Sequence, residues 1–77
     1  MIDIGKSLKE HRENAKLTQT ELAKRTGIKQ QNISRWENNT HIPNVQDCVV
    51  LANFYQISID FLIGYENADG SKNTVQN

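Results

Sequence analysis

The sequence has one cysteine, one proline and no surplus of either charge: nine Lys or Arg balance nine Asp or Glu over 77 residues. A lone cysteine, Cys48, excludes an internal disulfide and a cysteine-based zinc cluster. With only two scattered histidines, His11 and His41, no metal or cofactor is expected. The opening MIDIGKSLKEH has no apolar stretch of the kind a secretory signal needs. No apolar run approaches the roughly 20 residues of a membrane span, so a cytoplasmic protein is expected. Aromatic residues make up 6% of the chain, too few for the stacking platforms that read single-stranded RNA. No nucleophile–base pair, phosphate loop or ligand cluster stands at a workable spacing, so neither an enzyme nor a small-molecule binder is expected. A chain this short is one small domain with a modest core.

The balanced total hides an uneven distribution. Residues 1–40 hold eight basic residues against five acidic ones, and residues 41–77 hold one against four. The halves are therefore +3 and −3. A polyanion is steered by the local field rather than by the total, and such asymmetry between halves points toward nucleic acid.

The stretch from Gln19 to Asn38, QTELAKRTGIKQQNISRWEN, organises the rest. Thr18 is a good N-cap, and Glu21 three residues later completes a capping box. Leu22 and Ala23 face inward, and Lys24 and Arg25 sit where cations suit the carbonyl end of a helix. Gly27 supplies the left-handed residue that stops this helix, and Ile28 plugs the turn into the core. A second helix is predicted from about Lys29 to Glu37. At about 100° per residue, Ile33 and Trp36 share its inner side. Gln31, Ser34 and Arg35 point away, with Gln30 at their edge and Asn32 on the opposite flank. That outer set contains amide, hydroxyl and guanidinium groups and no carboxylate. Amides pair with adenine in the major groove and arginine pairs with guanine. An ordinary solvated polar face is the plainer alternative.

Helical periodicity fills in the remainder. Asp3 caps a first helix running to about Ala15, with Ile4, Leu8 and Ala15 as its apolar stripe. Arg12 lies near that stripe, and Glu37 lies beside Ile33, so both charges are expected to be half-buried and to pair with each other. Pro43 ends a loop, and Asn44 caps a fourth helix from Val45 to about Tyr55. Val45, Cys48, Val49 and Ala52 are assigned to its core side, which leaves Val50 and Phe54 outward. Ser58 caps a short last helix ended by Gly64. Val50, Phe54 and Phe61 form a candidate dimer interface, the alternative being that Phe54 and Phe61 pack within one monomer. Residues 1–65 read as the domain and 66–77 as a flexible polar tail.

Ala23, Gly27 and Ile33 stand where a helix-turn-helix needs a small crossing residue, a turn glycine and a branched packing residue. From Lys6 to Gly64, and above all in LTQTELA, GIKQQNISRWEN and ISIDFLIG, the chain resembles the phage-repressor (Cro/C1, XRE-like) helix-turn-helix family. The resemblance implies an all-α, compact five-helix bundle of the lambda-repressor-like type, with helices two and three forming the motif. It implies base contacts from Gln30, Gln31, Ser34 and Arg35. Backbone contacts are expected from Gln19, Lys29, Asn32, Asn38 and Thr40, and the Arg12–Glu37 pair is implied again. Lys29 departs from the family pattern, because Ser or Thr usually caps the helix there. The function implied is a sequence-specific double-stranded DNA-binding regulator of transcription, a repressor by expectation, acting as a homodimer on an inverted repeat. An antitoxin-like or adaptor module on the same fold is the competing class.

Overall fold

A computed structural model describes residues 2–73. Five helices follow one another: α1 (Ile4–Asn14), α2 (Gln19–Thr26), α3 (Gln30–Glu37), α4 (Val45–Tyr55) and α5 (Ile59–Leu62). Four of the five start on a side-chain cap. Asp3 accepts from the Lys6 N–H, Asn44 from Asp47 and Ser58 from Phe61, while Thr18 and Glu21 close a full capping box. Each such bond satisfies an amide that the helix itself leaves unpaired. The exception is α3, whose N-cap, Lys29, makes no side-chain bond. This helix begins one residue later than the sequence suggests.

Turns are made by left-handed residues. Gly27 has φ 78° between α2 and α3. Lys16, Asn39 and Gln56 take the same region at φ 60°, 59° and 58°, where a side chain ordinarily resists it.

The core is built from Leu8, Leu22, Ile28, Ile33, Trp36, Cys48, Leu51, Ala52 and Leu62. Both α1 and α2 pack on α3, and α5 bridges α4 and α1. The helix-turn-helix is therefore supported by α1, which packs on α3, and by α4, which packs on α2.

Three expected placements change. First, α4 is rotated from the expected face. Leu51 is buried beside Cys48 and Ala52, whereas Val45 is 76% and Val49 41% exposed. The run CVVLA is apolar all round, so its sequence pattern leaves the inward direction to the packing of neighbouring helices. Second, Ala15 is exposed and lies beyond the end of α1, whose buried side is Gly5, Leu8 and Arg12. Third, Val50 and Phe54 pack partly against the core, and Phe61 sets its ring against His11 at 4.7 Å, edge to face. Among the described residues, the large apolar side chains left exposed are Ile42, Val45 and Val49.

Residues 66–73, part of the expected tail, fold back. Glu66 and Lys72 form an isolated antiparallel bridge, and Asn73 donates to the Gly64 carbonyl. Lys72 also reaches Asp60 and Glu66 at 3.4 and 3.6 Å, as exposed pairs worth little in water. The rest of the expected tail, 74–77, lies outside the described residues.

Candidate nucleic-acid interface

The site is the outer side of α3, and its geometry follows from what holds the inner side. Ile33 and Trp36 anchor the helix at 2% and 5% exposure. Their spacing leaves Gln30, Gln31 and Arg35 in solvent, with Asn32 and Ser34 half-buried at the margins. No carboxylate lies among these outward residues. Lys29, Asn38, Thr40 and His41 are exposed at the two ends of the helix.

Beneath this surface lies a fork. The Arg12 Nε donates to Glu37 Oε2 at 2.8 Å and Nη2 donates to Oε1 at 2.9 Å. The remaining arm, Nη1, donates to the Leu17 carbonyl at 2.8 Å. Side-chain exposure is 11% for Arg12 and 4% for Glu37. Bidentate geometry gives this pair both strength and a fixed orientation. Hydrogen bonding to Glu37 raises the Arg12 guanidinium above its already high ordinary value, against the opposing effect of burial.

The fork extends outward through an amide. Gln19 Nε2 donates to Glu37 Oε1 at 3.0 Å, which turns Gln19 Oε1 toward α3. Gln30 Nε2 donates to that oxygen at 3.4 Å. Gln19 is thus oriented by a buried carboxylate, and Gln30 by Gln19. The carbonyl oxygen of Gln30 and its second amide hydrogen are left over. One acceptor beside one donor matches the N6 and N7 edge of adenine.

The far end of α3 is closed by a Schellman turn. Asn39 N donates to the Trp36 carbonyl at 3.0 Å and Thr40 N to the Arg35 carbonyl at 2.9 Å. Asn39 adopts the left-handed position that glycine usually takes. Two residues that no local spacing indicates meet it there. Asn39 Oδ1 accepts from Gly5 N at 3.1 Å, and Asn39 Nδ2 donates to Asp3 Oδ1 at 3.0 Å. Asp3 and Gly5 thus join the site from 34 to 36 positions away in sequence. Their signal was limited to a helix cap and a small residue.

Away from this surface, His11 Nε2 bonds the Phe61 carbonyl at 2.9 Å and ties α1 to α5. Tyr55 buries its hydroxyl without a protein partner. Burial pushes that phenol up to about 12. Among the described residues no cluster of His, Cys, Asp and Glu could hold a metal ion, and no helix is long and apolar enough to cross a membrane.

Two short helices meeting at a left-handed glycine, the second with a polar outer side, define a helix-turn-helix protein. Residues 8–62 match the family described as Helix-turn-helix. The chain belongs to that family, in its Cro/C1, XRE-like form. It is also similar to the "HTH-type transcriptional regulator ImmR" of Bacillus subtilis (strain 168), at 33% identity over 73 residues. That match takes in 95% of this chain and 58% of the relative, so the chain spans less than two thirds of the relative's length.

Proposed function

We propose that this protein is a sequence-specific double-stranded DNA-binding regulator of transcription, with no catalytic step of its own. The family and the regulator named among its relatives support the class. The single observation that carries the finer reading is the outward side of α3. Gln30, Gln31 and Arg35 are free to bond there, and Gln30 is pre-oriented from behind by Gln19 and Glu37. In this reading α3 lies in the major groove. Gln30, Gln31, Ser34 and Arg35 address base edges, while Gln19, Lys29, Asn32, Asn38 and Thr40 hold phosphates and set the register.

One such domain spans few base pairs, and two copies on one face of a duplex place their recognition helices about 34 Å apart. The operator is then an inverted repeat, and occupying it blocks a promoter, so repression is the sign we assign. Ile42, Val45 and Val49 give the second copy its apolar surface. Val50, Phe54 and Phe61, which are only partly buried, are the other candidates for that role.

Selection of binding sites from random duplexes, followed by sequencing, tests the reading. A palindromic motif is expected, and no enriched motif at low salt would overturn it. Gln31→Ala should then lose about 1–3 kcal/mol of discrimination at one base pair, with its melting temperature unmoved.

A further inference from the structure

We propose that Asn39 is a positioning residue for DNA-backbone contact, a strap that fixes the loop after α3 against the start of α1. The proposal rests on the DNA-binding reading above and adds residues to it that touch no DNA themselves.

The strap has three members. Asn39 Oδ1 accepts from the Gly5 amide at 3.1 Å, one of the amides that α1 cannot pair internally. Its Nδ2 donates to Asp3 Oδ1 at 3.0 Å. The same Asp3 oxygen caps α1 by accepting from Lys6 N at 3.0 Å. Gly5 makes the approach possible. A Cβ there would collide with the Trp36 carbonyl and stand 2.6 Å from Asn39 Oδ1. The first turn of α1 therefore lies directly against the last turn of α3.

The strap acts on the two loop residues assigned to phosphate. Asn38 and Thr40 flank Asn39, and the Thr40 amide reaches the Arg35 carbonyl only if Asn39 stays left-handed, at φ 59°. Asparagine adopts that region with modest strain. A glycine would close the same turn with less strain, so the side chain at this position contributes something other than backbone freedom. What it adds is a fixed distance between the loop and the body of the domain. A loop held in this way presents Asn38 and Thr40 to phosphate without losing freedom on binding.

Asn39→Gly separates these roles. The turn keeps its backbone conformation and only the strap is lost. The melting temperature is expected to stay close to that of the unmodified chain, because eased strain offsets two lost hydrogen bonds. Affinity for duplex DNA is expected to fall about threefold to tenfold on preferred and random sequences alike, since backbone contacts carry no sequence information. The salt dependence should keep its slope, because Asn38 and Thr40 are uncharged and displace no counterions. Amide exchange should quicken at Gly5 and Thr40 and stay unchanged at Leu22 and Ile33.

Asp3→Ser provides a second route. Serine can keep a cap on α1, while Asn39 Nδ2 loses its carboxylate partner and Gly5 N keeps Asn39 Oδ1, so faster exchange is expected at Thr40 with little change at Gly5. If Asn39→Gly binds duplex as tightly as the unmodified chain, the proposal is overturned. It is equally overturned if both variants leave exchange at Thr40 unaltered. Failure of the unmodified chain to retain any duplex at low salt instead defeats the DNA-binding reading, and the strap's role falls with it.

Discussion

The two helices of the motif are the same length, eight residues each, and are held by different means. Helix α2 is specified by its own sequence. Thr18 accepts from the Glu21 amide at 3.1 Å, Glu21 returns the bond to the Thr18 amide at 2.9 Å, and a glycine ends the helix. Helix α3 has no side-chain cap at Lys29 and a non-glycine left-handed residue after its end. Its placement comes from tertiary contacts: Ile33 and Trp36 in the core, and Glu37 in the grip of Arg12. The outer side of α3 is thus free of a local cap at its exposed start and fixed from its buried side. The arrangement is consistent with the proposed role of Gln30 and Gln31 in contacting DNA.

The largest expected effect breaks the grip on α3. Arg12→Ala leaves Glu37 buried and unpaired, at a cost of about 3–5 kcal/mol. A domain this small has about that much stability in total, so the variant should be largely unfolded at room temperature by circular dichroism. Pairing Arg12→Met with Glu37→Leu removes both charges and should recover much of the loss, because apolar replacements of a buried pair are often neutral. An Arg12→Ala melt within a few degrees of the unmodified chain would show that α3 does not depend on the pair.

Smaller effects sharpen the contrast at the helix starts. Thr18→Ala removes one side of the capping box and should cost about 1 kcal/mol. Lys29→Ser adds the cap that α3 lacks and should gain a similar or smaller amount, with the opposite sign. Chemical denaturation midpoints measure both. If Lys29→Ser destabilises, the lysine makes a contribution to the helix start that capping does not describe.

Much of this contrast was legible in the sequence, for physical reasons. Thr18, Glu21, Gly27, Asn44 and Ser58 act through neighbours two to four residues away, so spacing alone locates their helices. Ile33 and Trp36 were placed by the rotation of a single helix with two unlike sides. Legibility ended where one side of a helix looked like another. In α4 the run from Cys48 to Ala52 satisfies any inward direction, and Val45 and Val49 emerged in solvent while Leu51 went inside. It also ended where partners are far apart in the chain. Nothing in the local pattern of Asp3 and Gly5 predicts that Asn39 binds both. The orientation of Gln30 by Gln19 belongs to the same class, because it depends on which way an amide 11 residues earlier is turned.

The smallest effect concerns protons at the start of α2. The Glu21 carboxyl is held below its ordinary value, first by the Thr18 backbone N–H and then by the Thr18 side chain. A carboxylate whose folded value is depressed stabilises the fold above its unfolded value and loses that contribution as pH falls through the folded one. The contribution of Glu21 is thus complete above the ordinary 4.5 and fades in more acid solution. Glu21→Gln can still accept from the Thr18 amide, as glutamine does in capping boxes, but it carries no proton to lose. Between neutral pH and about pH 3, a span that brackets ordinary carboxylates, the unmodified chain should therefore lose more stability than the variant. Parallel slopes for the two proteins would mean that the charge on Glu21 adds nothing to its hydrogen bond. In that case the capping box would act through its two hydrogen bonds alone, and the difference between the two helix starts would be one of hydrogen bonding and not of charge.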